Sequence, residues 1–179
     1  KRKVTMLGEE PVPSDQWNTT LDLSIDAYLP GDYIYDSIQK IEIYKKVAVI
    51  ASFDDAMELE DELVDRFGDL PEAVINLMAV ARLKVYGKMY GIESITQRGD
   101  DLTVKFYEGR EHAFELSKIA HIGNQFERRV QFEQGPHMLI HVKGKGLGDK
   151  QLMELVEKFL ESMKSAFKSK GEPKDVTKV

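Results

Sequence analysis

Lys84-Val85-Tyr86-Gly87-Lys88-Met89-Tyr90-Gly91-Ile92-Glu93-Ser94-Ile95-Thr96 changes its period partway through. Up to Tyr90 the apolar residues recur at helical spacing. Val74, Leu77, Met78, Ala81, Val85 and Met89 share one face of a helix expected over residues 71–90, with Gly87 and Gly91 marking its end. Beyond Gly91 the alternation falls to two, the period of a half-buried strand. Helix signals dominate before this switch and strand signals after it.

Upstream, residues 20–26 alternate apolar and polar and are expected to form a strand, which Pro30-Gly31-Asp32 ends. Residues 36–51 place Ile38, Ile41, Tyr44, Val47, Ala48 and Ala51 on one helical stripe expected to face the core. The next helix should begin at Asp54 as N-cap, carry Asp55 and Glu58 in its first turn and run to Phe67. Gly68 suits the position after a helix end, and Pro71 suits the first turn of the helix that follows.

Downstream, residues 92–96, 102–106 and 110–114 read as strands joined by turns at 99–101 and 108–109. A short helix is expected over 116–122, and two more strands over 126–132 and 138–142. A last amphipathic helix over 149–167 would turn Leu152, Leu155, Val156, Phe159, Leu160, Met163 and Phe167 inward. The expected fold is therefore α+β: N-terminal helices packed on a mainly antiparallel sheet, with a C-terminal amphipathic helix. Residues 1–20 read as a linker or N-terminal extension, 21–169 as one domain and 170–179 as a flexible tail.

The chain has 179 residues, 25 basic and 31 acidic, and no cysteine. The missing cysteine excludes disulfides, iron–sulfur clusters and thiol chemistry, and fits a reducing compartment. A net charge of −6 argues against a dedicated DNA-binding domain. Residues 54–72 hold nine acids against Arg66, a local −8, so the rest of the chain sums to +2.

Gly144-Lys145-Gly146-Leu147-Gly148 precedes the last helix and is a candidate phosphate cradle, although it lacks the Walker spacing. The competing reading is a plain turn. His137 and His141 lie in a strand pattern and would stand about 13 Å apart, too far to share an ion, so no metal site is assigned. Glu58, Glu62 and Asp65 share one helical stripe, with Met57, Leu59, Leu63, Val64 and Phe67 opposite and Glu60 a misfit on the apolar arc. That stripe is either a solvated helix face or an ion-pairing surface for an Arg/Lys-bearing partner. No catalytic residues are assigned.

Glu62-Leu63-Val64-Asp65-Arg66-Phe67-Gly68-Asp69-Leu70-Pro71, followed by Ala81-Arg82-Leu83-Lys84, resembles the C-terminal domain of bacterial transcription-repair coupling factors, the Mfd family. Ile25-Asp26-Ala27-Tyr28-Leu29-Pro30 and Gln39-Lys40-Ile41-Glu42-Ile43-Tyr44-Lys45 resemble the opening of the same domain. The resemblance spans about residues 21–160. It implies a cytoplasmic, regulatory, non-enzymatic domain without a cofactor. Its parent would be an ATP-driven DNA translocase that removes stalled RNA polymerase and recruits UvrA. It further implies docking on an N-terminal UvrB-like module of the same protein, which masks UvrA binding and restrains the motor. The docking role falls on the motif carboxylates Glu62 and Asp65, with Glu58 and Asp61 following as neighbours on the helix. Arg66, Phe67, Gly68 and Pro71 are expected to be structural. The alternative is a small α+β phosphate- or nucleotide-binding enzyme using loop 144–148.

Overall fold

A computed structural model describes residues 16–168; the expected tail over 170–179 and most of the expected linker lie outside them. The chain begins with β1 (Thr20–Asp22), then three helices, α1 (Ser37–Ala48), α2 (Phe53–Phe67) and α3 (Glu72–Tyr90). A hairpin of β2 (Ile92–Arg98) and β3 (Asp101–Phe106) follows, then α4 (Leu116–Asn124), β4 (Val130–Glu133), β5 (Leu139–Val142) and α5 (Asp149–Ser162). The sheet runs β1-β2-β3-β5-β4. β1 is parallel to β2 and the other neighbours are antiparallel. The fold is α+β, as the switch at Gly91 requires.

One face of the sheet carries Ile95, Leu102, Val104, Phe106, Ile140 and Val142, all buried under α3, α4 and α5. A second, smaller core gathers Leu29, Ile34, Ile43, Ala56, Leu59, Leu63, Val74 and Met78 between α1, α2 and the start of α3. Helix α3 belongs to both cores. Eleven of its 19 residues are buried, including Asn76, Leu83, Tyr86 and Tyr90 outside the single stripe read from the sequence. A helix buried on most sides is apolar nearly all round, so periodicity alone understates its burial. Its buried polar atoms are satisfied: Asn76 Nδ2 donates to Asp26 O at 3.0 Å and Tyr90 Oη donates to Leu160 O at 2.7 Å. Gly87 does not end α3. It lets Thr19 approach so closely that a Cβ there would lie 1.9 Å from Thr19 Oγ1. The chain is thus fixed before β1: Thr19 Oγ1 donates to Ile92 O, and Arg110 stacks on Trp17.

Several expected elements change. Residues 110–114 are not a strand. Gly109 turns the chain with φ 81°, and Arg110–Ala113 forms a 3-10 turn, leaving only Phe114 bridged to Phe167. The strand expected from 126 begins at Val130, because Glu127 and Arg128 adopt left-handed φ of 50° and 63°. β1 keeps only three of the seven alternating residues. The last helix tightens at its end, where Met163–Ala166 is 3-10. Helix α1 turns Ile43 inward with half-buried Val47, while Ile38 and Ile41 of the expected stripe face outward.

Salt links fasten the helices over the core. Arg82 on α3 grips Glu157 of α5 with two hydrogen bonds of 3.1 and 3.2 Å and also pairs with Glu60 of α2. Glu60, the misfit on the apolar arc, is thus accounted for by a cation from α3. Burial pushes the Glu157 carboxyl up from its ordinary value, against the opposing hydrogen bonds and charge of Arg82. Tyr86 Oη donates to Glu161 at 2.8 Å, and its ring packs 4.6 Å from that of Phe53 at the start of α2.

Gly68 ends α2 with φ 88° and ψ −167°, its N–H donating to Val64 O and its carbonyl accepting from Tyr33 Oη. A Cβ there would meet nothing within 4 Å, so only backbone conformation demands glycine. Gly68→Ala should therefore lower stability by roughly 1–3 kcal/mol, measured by denaturant unfolding. Phe67 is half-buried, with its ring 5.8 Å from that of Tyr33 and Arg66 lying over it. Phe67→Ala should cost about 2 kcal/mol, below the ~3–5 kcal/mol of a fully buried phenylalanine. A loss of ~3–5 kcal/mol would show that Phe67 is a full core residue.

Candidate docking face

Helix α2 starts two residues earlier than Asp54 as N-cap suggests. Ser52 is the N-cap: its Oγ accepts from Asp55 N at 3.1 Å, and Asp55 Oδ2 accepts in return from Ser52 N at 3.2 Å. This reciprocal box holds the first turn rigid. Ala56, Leu59 and Leu63 are buried, whereas Met57 and Val64, expected inward, are exposed. Glu58, Asp61 and Asp65 stand exposed on the outer side of the helix. Pro71 lies just before α3 as its N-cap, and the helix begins at Glu72.

Glu62 has a different setting. Lys46 Nζ from α1 lies 2.8 Å from each of its oxygens, and Arg66 Nη1 lies 2.8 Å from Oε2. Glu42 on α1 completes the set, 3.5 Å from Lys46 and 3.4 Å from Arg66. Two acids and two bases thus zip α1 to α2, and Arg66 serves local structure. Hydrogen bonds from Lys46, then Arg66, hold the Glu62 carboxyl below its ordinary range. A carboxyl with a lowered folded pKa stabilises at neutral pH, and its contribution fades as pH falls through that lowered value.

The pairing divides the four predicted site residues. Glu62 is half-buried and engaged within the chain. Among the described residues, Glu58, Asp61 and Asp65 have no ion-pair partner. Asp61 and Asp65 stand four residues apart, a like-charge spacing that weakens a helix. Three unpaired carboxylates therefore line a rigid helix whose other faces are secured by Lys46, Arg66 and Arg82. The signal missed at sequence level was the cation on a neighbouring element: spacing along α2 cannot show that Lys46 reaches Glu62 or Arg82 reaches Glu60.

Loop 144–148 is filled by its own chain. A Cβ on Gly144 would lie 1.9 Å from Asp100 O, and the Gly144 N–H donates to Asp101 Oδ1 at 3.3 Å. Arg129 Nη1 donates to the carbonyls of Lys143 and Lys145. Gly148 N–H donates to Gln151 Oε1 at the start of α5. A carboxylate already stands where a phosphate would need free N–H groups. His137 Nδ1 donates to Phe106 O at 2.9 Å, and His141 lies 2.9 Å from Glu133. Among the described residues no group of three or more acidic or histidine side chains is placed to hold a metal ion. No helix among them is long and apolar enough to cross a membrane.

Comparison with known proteins gives this geometry a family. The model of the TRCF domain matches residues 23–116. The transcription-repair-coupling factor of Bacillus subtilis (strain 168) is 32% identical over 156 residues, which cover 87% of this chain and 13% of that protein. Its counterpart in Staphylococcus aureus (strain USA300) is 43% identical over 79 residues, 44% of this chain and 7% of that protein. The chain thus spans a small part of the curated relatives' length. A solved crystal structure of the C-terminal domain of transcription-repair coupling factor superposes with a TM-score of 0.68 at 28% identity, covering 83% of this chain and 96% of that one. The match over more than half of the chain includes the whole acidic helix and all of α3, and the chain belongs to the TRCF domain family of transcription-repair coupling factors.

Proposed function

We propose that this domain is the regulatory, autoinhibitory C-terminal module of its parent protein. It docks on an N-terminal UvrB-like module, masks the surface that binds UvrA, and restrains an ATP-driven DNA translocase that removes stalled RNA polymerase. The supporting observation is the row of unpaired carboxylates, Glu58, Asp61 and Asp65, on a helix whose Glu60 and Glu62 are paired within the chain. Such a face suits a reversible contact with Arg or Lys side chains, where charge adds specificity and association rate more than affinity. Glu62 contributes through the seam: a partner cation that reaches it shares the carboxylate with Lys46 and Arg66. The domain itself has no catalytic step in this scheme. DNA and RNA polymerase act through other parts of the parent.

Two variants separate docking from folding. Asp65→Ala should melt as wild type, within ~0.5 kcal/mol, because it removes only an exposed charge. Glu62→Ala removes the centre of the α1–α2 seam and should melt slightly lower. In the full-length parent both should raise UvrA capture in a pull-down, since loss of a desolvated ion pair costs an interface about 2–5 kcal/mol. Added salt should weaken the wild-type contact, because exposed charges are screened over ~8–10 Å. A normally folded Glu62→Ala/Asp65→Ala double variant with wild-type UvrA capture would reduce the acidic row to a solvated face.

Loop 144–148 supplies a separate check. With the Gly144 N–H already given to Asp101, calorimetric titration of ATP onto the chain should give no binding heat. Saturable binding abolished by Lys145→Ala would restore the nucleotide-binding reading.

A further inference from the structure

Helix α1 leaves its apolar side uncovered. Ile38 and Ile41 are 77% and 55% exposed, Tyr35 just before the helix 94%, and Val49 at its end 74%. Ile38, Ile41 and Val49 fall on one line along the helix, with the exposed Lys45 between Ile41 and Val49. The helix is anchored from its other side, by Ile43 and half-buried Val47 in the smaller core and by Glu42 and Lys46 in the seam. A row of large exposed apolar residues on a well-anchored helix is the pattern of an interaction surface.

The row and the acidic face are neighbours. Lys46 meets Glu62 while Glu42 meets Arg66, so α1 and α2 run antiparallel. Ile38 and Ile41 therefore lie toward the Asp65 end of α2, and Val49 toward the Glu58 end. At that second end Val49, Ile50 and Leu59 floor a shallow cleft of about 270 Å³ rimmed by Asp55, Glu58 and Glu62, with Lys46 at its edge. An apolar floor under carboxylates accommodates the aliphatic stem and the charged head of an arginine or lysine.

We propose that the apolar row of α1 is the desolvated half of a two-part docking surface, of which the α2 carboxylates are the ionic half. The occupant is a protein surface that presents basic side chains beside an apolar ridge, one of them entering the Val49–Leu59 cleft. This inference rests on the docking reading above and adds to it where the binding energy resides. Charge selects that occupant. A second copy of the chain meeting this face symmetrically would set Glu58, Asp61 and Asp65 against themselves. An anionic lipid surface would meet the same repulsion.

The test is a titration of the UvrB-like module onto the full 179-residue chain and its variants at two salt concentrations. Ile38→Ser/Ile41→Ser should leave the melting curve nearly unchanged, because both side chains are exposed. It should weaken binding roughly thirtyfold, the scale of a lost hot spot, with an unchanged salt slope, since no charge is added. Asp65→Ala should instead flatten the salt slope. The chain has no cysteine, so Ile41→Cys gives a single reporter thiol. The module should slow its maleimide labelling roughly tenfold, as burial in a contact restricts thiol access. Wild-type affinity of the Ile38→Ser/Ile41→Ser variant, with the thiol at position 41 still reactive in the complex, would overturn the inference and leave the ionic docking intact. Self-association of the chain that the same variant abolishes, with module binding unaffected, would assign the row to a second copy and also overturn it. No binding of the unmodified chain to the module would remove both readings.

Discussion

Burial of α3 on nearly all sides is the constraint on which the rest of the structure depends. Its first half closes the small core under α1 and α2, and its second half lies on the sheet beside α5. Each large apolar side chain it buries contributes about 1.5–3 kcal/mol, and these contributions serve two cores at once. Its charges are used with equal economy of position: Arg82 binds one acid on α2 and one on α5. Two groups of elements that could have been separate bodies are thereby held as one.

That arrangement explains why α2 can carry so many acids. Glu60 is neutralised from α3, Glu62 from α1 and from its own helix, and Asp55 is occupied in the capping box. The remaining carboxylates are displayed on a support that does not need them. A surface built this way can give up or gain ionic contacts without disturbing the core beneath it, which is what reversible docking requires. The solved relative of this family shares the architecture over nearly its full length.

Much of this was legible from residue pattern. The period switch at Gly91, the end of α2 at Gly68, and the hairpin of β2 and β3 follow from local signals that tertiary structure did not override. Residues 110–114 misled because five residues ending in Ala113-Phe114 are too few to separate a strand from a turn. Helix α1 misled for a deeper reason. It has apolar residues on two sides, and periodicity selects the stripe of Ile38, Ile41, Tyr44 and Val47, of which the fold partly buries Val47 while it fully buries Ile43 outside the stripe. The roles of Glu60 and Glu62 could not be read at all, since their partners Arg82 and Lys46 lie 22 and 16 positions away on other helices.

The parallel pairing of β1 with β2 carries a consequence for how the molecule assembles. Thr20 faces Ser94, so the two strands meet only after all three N-terminal helices have been laid down between them. Closing that long loop costs entropy that three residue pairs repay poorly. The β2–β3 hairpin rests on contacts close in sequence, whereas β1 depends on a partner strand that lies beyond three helices. Hydrogen exchange should therefore reach the three paired residues of β1 before the amides of α3 and the central strands, with the Thr19 and Trp17 contacts setting how far such opening can spread.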